Sequence, residues 1–462
     1  MRRRYEWKRI LWAALLLLVA AGCATYRMKN LKLYGAIETG DFETADRLLE
    51  KDGKTSQGKN RLLYYLNRGY VSWMLSDFAQ SVRFFNTAED IIDAYSVQVA
   101  SEALALVTNP MMKPYQAEDF EKVMVNCFKA VNYMQLGQPE EAMVECRRIN
   151  MKLNALNDKY KDHKNRYQRD AFAHVLMGLL YDAGREYNNA FIAYRNALET
   201  YESDYVKNFN MQPPGQLKSD LLRTAYLSGF YEEVAFYERK FGVKYTPQEP
   251  SQAEMVFFWM NGFGPFKDEW SVNFTILKGQ GGMVTFANEE LGISLPFFTG
   301  TSGESSSFSD LKFVRVAFPK YVERPPLSHS AVISANRQEY PLEPAENINA
   351  IAFKTLNDRF LREMGSALLR IAAKQAMEEV TRSQDGNIGA LVGIANALTE
   401  KADTRNWQTL PYGISYARIP LTKGNNRLIL KVKMTDGRMT EHELSVEALE
   451  GQTRFHAFHS LN

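Results

Sequence analysis

The chain has 462 residues, 45% of them apolar and 12% aromatic, which is enough for two or three domains with real cores. Its 56 basic and 54 acidic residues leave a formal net charge of +2. This balance argues against a nucleic-acid binder, which normally carries a concentrated basic face.

The first 22 residues have the pattern of an export signal. A positive stretch contains Arg2, Arg3, Arg4, Lys8 and Arg9. An apolar run over residues 10–21 follows, and it is too short to span a bilayer, where a helix needs roughly 20 apolar residues. The run ends in Ala20-Ala21-Gly22-Cys23.

This ending resembles the lipobox of bacterial lipoproteins, with Ala20 where that pattern more often has Leu. The resemblance implies that Cys23 is lipidated and becomes the first residue of the mature chain. Several acyl chains on one residue suffice for stable anchoring. In Gram-negative lipoproteins an Asp after the Cys favours retention in the inner membrane, so Ala24 at this position implies, by the same resemblance, sorting to the outer membrane of a host that has one, facing the periplasm. The alternatives are a plain signal peptide with an incidental cysteine, or an uncleaved anchor.

The front half contains an imperfect repeat. Its clearest unit has small and aromatic residues at Gly178, Tyr181, Tyr187, Ala190, Tyr194 and Ala197. These spacings resemble the tetratricopeptide repeat, in which a small residue lets two antiparallel helices touch and large residues fill the gap. Weaker copies have their turns at positions 40, 76, 137 and 229, against 185 for the clear unit. The resemblance implies a groove that binds an envelope protein, although a spacer or dimer surface is the alternative.

Two cysteines, Cys127 and Cys146, follow Cys23. They could pair in an oxidising compartment, or remain buried thiols in amphipathic helices.

The back half, from about Tyr245, changes to short β-rich runs. Strands are predicted at 255–259, 272–277, 311–318, 331–333, 414–419, 427–434 and 439–446. Asp436-Gly437 predicts a hairpin between the last two, and the serine-rich residues 299–310 predict a loop. A helical hairpin is predicted at about 346–401, from one helix over 346–382 and a second over 388–401. Gly389 and Gly393 there indicate close packing on the first helix, because the segment is too short to span a membrane.

Two further stretches stand out in the back half, residues 262–267 and 402–411. The first includes Gly264, Pro265 and Lys267, and the second includes Asp403, Arg405 and Trp407. With the lipobox and the repeats, they resemble a poorly characterised family of bacterial repeat-containing lipoproteins. That resemblance implies a role in the cell envelope or its wall but assigns no chemistry. Asp403 and Arg405 beside Trp407 indicate a charge pair with an aromatic anchor, either at an interdomain packing site or in a ligand pocket.

The residues suggest no catalytic centre, cofactor or metal site. The Gly264 region lacks the glycine spacing of a phosphate loop. His456 and His459 are three apart on a predicted strand and so point to opposite faces, while His174 falls at a repeat packing position.

The predicted fold class is α+β: a tetratricopeptide-like helical solenoid followed by a β-sandwich-like domain with an inserted helical hairpin. The predicted ranges are 1–22 (signal), 23–29 (lipidated linker), 30–244 (helical repeats) and 245–462 (β-rich domain). The leading functional hypothesis is a non-enzymatic envelope scaffold. One alternative is a glycan-binding or peptidoglycan-active protein that uses Trp259, Trp270 and Trp407, and another is a subunit of an export machine. The oligomeric state and the partner's identity are left open.

Overall fold

The computed structural model describes residues 25–97, 110–159, 167, 169–247, 252–279, 283–298, 313–382 and 401–461. Cys23, the predicted 299–310 loop and all but the last residue of the helix predicted over 388–401 lie outside these ranges. Among the described residues, no helix is both long and apolar enough to cross a bilayer. The described chain is α+β, with helices in the front half and sheets in the back half.

The front half is built from paired helices. They are α1 (Tyr26–Lys29), α2 (Leu31–Glu38), α3 (Phe42–Lys51), α4 (Arg61–Met74), α5 (Phe78–Val97), α6 (Asp119–Gln135), α7 (Pro139–Lys159), α8 (Ala171–Ala183), α9 (Tyr187–Thr200), α10 (Val206–Phe209), α11 (Gly215–Leu227) and α12 (Tyr231–Phe241). A π-helical turn, Tyr201–Tyr205, joins α9 to α10. Five helix–turn–helix hairpins result: α2/α3, α4/α5, α6/α7, α8/α9 and α11/α12.

The five turns share one backbone geometry. Each has a residue with positive φ, at Gly40, Ser76, Gly137, Arg185 and Gly229. The next residue donates its N–H to a carbonyl five residues back, as Glu186 does to Tyr181 at 2.8 Å. This bond is the Schellman pattern, which satisfies a carbonyl at the end of the first helix. The five predicted turn positions are therefore confirmed.

Close contact within the hairpins depends on small side chains. A Cβ on Gly178 would lie 2.3 Å from the Tyr194 ring, and one on Gly69 would lie 2.6 Å from the Phe85 ring. The fifth residue after each turn is buried. In chain order these residues are Ala45, Ser81, Ala142, Ala190 and Val234. Glycine is required at 178 and 69 because an aromatic ring from the second helix occupies the space of a side chain.

The described residues of the back half form three four-stranded sheets. The inner sheet has the order β12-β1-β9-β8, the outer sheet β11-β10-β6-β7 and the side sheet β4-β3-β2-β5. The strands are β1 (Ala253–Phe263), β2 (Phe266–Lys278), β3 (Met283–Asn288), β4 (Ile293–Phe298), β5 (Phe313–Val322), β6 (Ser328–Ala335), β7 (Gln338–Pro341), β8 (Glu343–Asn347), β9 (Pro411–Leu421), β10 (Gly424–Met434), β11 (Met439–Ala448) and β12 (Thr453–Ser460). β1 and β12 are parallel, and the other paired strands are antiparallel.

The inner sheet is buried on both faces, which explains the continuous apolar run in β1. Met255, Phe257 and Trp259 pack against the outer sheet. Val256 and Phe258 alternate with them and join the core that contains the helices. The layers are therefore helices, inner sheet and outer sheet, and one apolar core runs from the helical half into the sheets.

The predicted strands are confirmed wherever the described residues include them, and β10 and β11 form the predicted hairpin at Asp436-Gly437. β3, β4, β7 and β8 were not predicted. Their shortness, at four to six residues each, leaves little room for a periodic pattern.

The predicted 346–382 helix was wrong in two respects. Glu346 belongs to β8, and the helical part divides into α13 (Ile348–Asp358) and α14 (Phe360–Arg382). The Asn347 side chain accepts a hydrogen bond from Ala350 N–H at 2.9 Å and starts α13. Arg359 lies between the two helices, and α14 packs on the side sheet through Met364 and Leu368.

The predicted linker over 23–29 is also shorter than expected. Residues 26–29 form helix α1, with Thr25 as its N-cap and Tyr26 buried. Within the described residues, helical structure therefore begins at Tyr26, three residues after Cys23.

Candidate functional site

The two stretches singled out in the sequence meet in the structure. Residues 262–267 carry the chain from β1 into β2, and residues 402–410 lead into β9. Asn406 joins them, because its Oδ1 accepts the Lys267 N–H at 3.1 Å and its Nδ2 donates to the Pro265 carbonyl at 2.9 Å. Gly264 N–H donates to the Leu410 carbonyl at 2.8 Å. Segments about 140 residues apart thus form one buried crossing.

Gly262 makes the turn between the sheets possible. Its φ is +55°, in the left-handed region that favours glycine, and a Cβ there would lie 2.8 Å from Pro326 Cβ. The glycine therefore serves the backbone path, which explains the Gly-Phe-Gly-Pro pattern without a ligand.

A carboxylate with two cations lies at this crossing. Lys267 Nζ is 2.6 Å from Glu118 Oε1, and the Arg359 guanidinium contacts both Glu118 oxygens at 2.5 Å each. Glu118 and Lys267 are buried, and Glu118 caps α6 through a capping box. Burial alone would raise the pKa of Glu118, but Arg359 and Lys267 outweigh it and hold that pKa well below its usual range. We call Glu118, Lys267 and Arg359 the Glu118 cluster.

Trp407 lies next to this cluster. Its backbone N–H donates to Glu121 Oε1 at 2.7 Å, and its indole N–H donates to Thr409 Oγ1 at 2.7 Å. Its ring packs on Phe85 and Phe128, at centroid distances of 5.8 and 5.7 Å. Burial raises the pKa of Glu121, and the negative charge of Glu118 raises it further. Trp407 is thus an aromatic anchor enclosed between α5, α6 and the sheets.

Arg405 is also enclosed, with 1% of its surface exposed. It pairs with Asp403 at 2.6 Å, as the sequence predicts. Its guanidinium also donates to Asn60 Oδ1 at 3.1 Å and to the Lys113 carbonyl at 2.9 Å. Of the two alternatives for this stretch, the structure has the packing site: the side chains bind helices and loops of the same chain.

A second charged cluster lies on the helix-facing surface of the inner sheet. Arg418, in the middle of β9, contacts Asp182 at 2.6 Å, Asp220 at 2.9 Å and Glu254 at 2.6 Å. Burial raises the pKa of Asp182, yet Arg418 and Arg223 outweigh it and lower that pKa. We call these five residues the Arg418 cluster. Sequence analysis missed it, although an arginine inside an otherwise buried strand is a signal that could have found it.

The third group is a pair of carboxyls with no cation between them. Asp170, the N-cap of α8, and Glu346, in β8, are both buried and lie close enough for each to shift the pKa of the other. Tyr167 donates its hydroxyl to Asp170 at 2.6 Å, and Tyr205 donates to Glu346 at 3.1 Å. Burial raises the pKa of both carboxyls, and that of Glu346 is well above its usual range. Two negative charges so close together in a buried site repel each other, so the raised pKa values favour the neutral form of at least one carboxyl. We call them the acid pair.

The predicted repeat-packing residues are brought together around the α8/α9 hairpin. Gly178, Ala190, Tyr194 and Ala197 are buried against one another or their neighbours. Tyr181 and Tyr187 are only partly buried. Tyr187 lines an open depression of about 420 Å³ between the fourth and fifth turns, with Arg185, Asn189, Leu227 and Phe230.

The first helix of each hairpin faces the sheets of the same chain. Tyr70 in α4 contacts His459 at 2.8 Å, and Phe172 in α8 packs on Phe258 with ring centroids 5.9 Å apart. Gln135 in α6 donates to the Phe455 carbonyl at 2.9 Å. These first helices therefore pack on the inner sheet.

Histidines and cysteines are in structural positions. His459 contacts the helices while His456 stacks on Phe257 on the other face of β12, as predicted, and His174 is buried. Cys127 and Cys146 are unpaired and buried, and burial raises the pKa of Cys146 to about 12. The described part of the chain holds no group of three or more His, Cys, Asp or Glu side chains arranged for a metal.

No family model and no curated protein matches this chain. Among solved structures, the apo form of RapI shares 16% identity at a TM-score of 0.33, over 46% of this chain and 52% of RapI. The chain thus spans about half the length of RapI. BtubC (BKLC) from P. vanneervenii shares 13% identity at a TM-score of 0.32, over 54% of this chain and 91% of that protein. At these scores neither likeness bears on function.

Proposed function

We propose that this protein is an envelope lipoprotein, held at the periplasmic side of the outer membrane by lipid on Cys23, that acts as a protein-interaction scaffold. The observation that carries the proposal is the position of α1. Tyr26 is fixed to the folded body by its N–H bond to Thr404 Oγ1 at 3.0 Å, three residues after Cys23. An anchor at Cys23 would hold the whole body against the membrane with almost no slack.

The hairpins support the scaffold half of the proposal. Five equivalent turns and the close contacts at Gly178 and Gly69 agree with a tetratricopeptide-like array. Because the inner sheet lines the first helices, the surface left for a partner is the side formed by the turns and second helices. Exposed apolar side chains lie there at the fifth hairpin, among them Leu227, Tyr231 and Phe236. Exposed apolar groups close together commonly mark an interaction site.

Two of the three tryptophans that motivate the glycan alternative are inaccessible, which favours the scaffold over a glycan binder. Trp259 and Trp407 are buried in cores, and Trp270 stacks on Phe360 at 6.1 Å. Sugar-binding platforms need an accessible ring face, which Trp259 and Trp407 do not offer.

The anchor is tested by metabolic labelling with palmitate in the native host or a bacterial host. The wild type should incorporate label and sediment with outer membranes, whereas Cys23→Ala should do neither. Unlabelled wild-type protein, with Cys23 retained, would refute the lipoprotein assignment.

The scaffold is tested by photo-crosslinking in cells, with a crosslinker in place of Phe236 and, as control, of Met439 on the outer sheet. Both side chains are about half exposed. The same envelope proteins should be captured at 236 and not at 439. Equal capture at the two positions would refute a partner surface at the fifth hairpin. The full chain is needed, because removing residues 30–245 would expose the helix-facing side of the inner sheet.

A further inference from the structure

The surface where the chain enters the fold combines apolar and cationic side chains. On α1 and α2, Met28 and Leu31 are 63% and 62% exposed, while Tyr26 between them and the body is buried. Lys29 and Lys32 are exposed beside them. Exposed apolar residues of this size flanked by lysines are typical of segments that lie at a lipid–water interface.

Neighbouring segments extend this surface. Lys59 Nζ lies 3.6 Å from the sulfur of Met112, a residue that is itself 64% exposed. This pair lies near α1, because Arg405 donates to Asn60 and to the Lys113 carbonyl while the adjacent Thr404 accepts the Tyr26 N–H. Burial lowers the pKa of Lys59, and the nearby charges of Arg405 and Lys29 lower it further. Arg405 already has Asp403 as its counter-ion. We call Met28, Lys29, Leu31, Lys32, Lys59 and Met112 the N-terminal face. Its cations repel one another, so an anionic surface placed against them would be attracted.

The short segment between Cys23 and Tyr26 indicates that this anionic surface is the membrane. A chain extends at most about 3.6 Å per residue, so the Cα of Cys23 lies within about 11 Å of the Cα of Tyr26. Tyr26 is fixed by its bond to Thr404, and Arg27 is fixed by Gln408 at 3.1 Å and Glu38 at 2.8 Å. With lipid on Cys23, α1 and the N-terminal face beside it would therefore lie close to the bilayer.

We propose that the N-terminal face lies on the membrane itself, with Met28, Leu31 and Met112 among the headgroups and the lysines on lipid phosphates. The proposal rests on the anchoring part of the proposed function, and it adds a second, non-covalent membrane contact with a preference for anionic lipid. This contact also fixes orientation: the fold meets the membrane at α1, and the Lys423 turn lies at the opposite end of β1, about 30 Å away along an 11-residue strand.

The first test uses the chain from residue 23 with Cys23→Ser, so that no acyl group contributes. Co-sedimentation is measured with vesicles of phosphatidylglycerol and phosphatidylethanolamine (1:3) and with vesicles of phosphatidylcholine alone. Binding should be confined to the anionic vesicles and weaken at high salt. The pair Lys29→Glu and Lys59→Glu should lower it about tenfold or more, and Met28→Ser with Leu31→Ser should also lower it.

The matched control reverses two cations on the far side, Lys423→Glu and Arg427→Glu, which are 63% and 72% exposed. It should bind as the unchanged protein does. The proposal would be overturned if the Lys423/Arg427 variant lost as much vesicle binding as the Lys29/Lys59 variant. It would also be overturned if the unchanged protein did not bind anionic vesicles. A dimer that the Lys29/Lys59 pair abolishes would overturn it as well, since a second copy would then cover the face.

A second test examines orientation in the lipidated protein. Met28→Cys and Lys423→Cys are labelled separately with an environment-sensitive dye, and the buried thiols of Cys127 and Cys146 should not react. Dye at 28 should shift to the blue in membranes and dye at 423 should not. Absence of palmitate on Cys23 would count against the proposed function alone, because the vesicle test does not depend on it. A water-like spectrum at 28 in lipidated protein would count against the N-terminal face alone.

Discussion

Glu118 and Glu346 are both glutamates buried between the helices and the sheets, but their surroundings differ in charge. Glu118 has Lys267 and Arg359 within hydrogen-bonding distance. Glu346 has another carboxyl, that of Asp170, and tyrosine hydroxyls. Burial penalises a charge in both places, and only the cations at Glu118 offset the penalty. The charged form of the carboxyl is therefore favoured at Glu118, and the neutral form is favoured at Glu346.

The two sites have opposite responses to pH. An unfolded glutamate has a pKa of about 4.3. The folded pKa of Glu118 is lowered, so its stabilising contribution is present above about pH 4.3 and is lost as the pH falls. The folded pKa of Glu346 is raised, so the contribution of its neutral form is complete below about pH 4.3 and is lost as the pH rises toward the folded pKa.

The largest effect is expected from Glu118→Gln. The change removes the ion-pair partner of the buried Lys267, leaves the partly exposed Arg359 with Glu363 alone, and weakens the cap of α6. The free energy of unfolding should fall by about 3–5 kcal/mol at pH 7. Denaturant unfolding measures it, with the exposed Glu339→Gln as control. A loss below about 1 kcal/mol would mean that the Glu118 cluster does not join the two halves as described.

Arg418→Ala should have a similar or slightly smaller effect, because Arg223 still accompanies Asp182 and Asp220. A loss of about 3–4 kcal/mol is expected at pH 7, and part of it should be recovered at pH 4, where the aspartates can be protonated. Arg427→Ala, an exposed arginine, is the control. A loss that is the same at both pH values would show that shape rather than charge matters at β9.

A substitution whose effect on stability does not depend on pH serves as a reference for the charged sites. Gly178→Ala places a Cβ against the Tyr194 ring and should cost about 1–3 kcal/mol, equally at pH 5 and pH 8. Gly35→Ala, in α2, meets no atom within 4 Å and should stabilise by up to about 1 kcal/mol. Thermal unfolding of the two variants distinguishes steric contact from helix propensity. A stabilising Gly178→Ala would contradict the close approach of α8 and α9.

The smallest effect is expected from Glu346→Gln. Its amide can donate to an ionised Asp170, so the cost of a second buried charge disappears. At pH 8 the variant should be more stable than the wild type by about 1–2 kcal/mol, and at pH 4.5 the two should be nearly equal. The measurement is the free energy of unfolding across pH 4.5–8. If the free energy of unfolding of the variant depended on pH as that of the wild type does, the acid pair could not be the source of that dependence.

Local patterns predicted much of this molecule. The five hairpin turns followed from glycine and small residues at fixed offsets, because such offsets encode helix contacts within one hairpin. β1 followed from an uninterrupted apolar run, and the β10/β11 hairpin followed from Asp-Gly. The Asp403–Arg405 pair and the Trp407 anchor were also predicted, since they lie within five residues of one another.

The tertiary structure alone decided the rest. The apolar run in β1 shows that both faces of the strand are apolar, but it does not show that one face packs on the helices. No local pattern pairs Arg418 with Asp182, which is 236 residues away in the chain. Glu118, Asp170 and Glu346 look like ordinary surface or capping residues until the sheets cover them. Sequence determines which segments form helices and strands because those contacts are near in the chain, whereas the partners of buried charges depend on distances that only the folded chain sets.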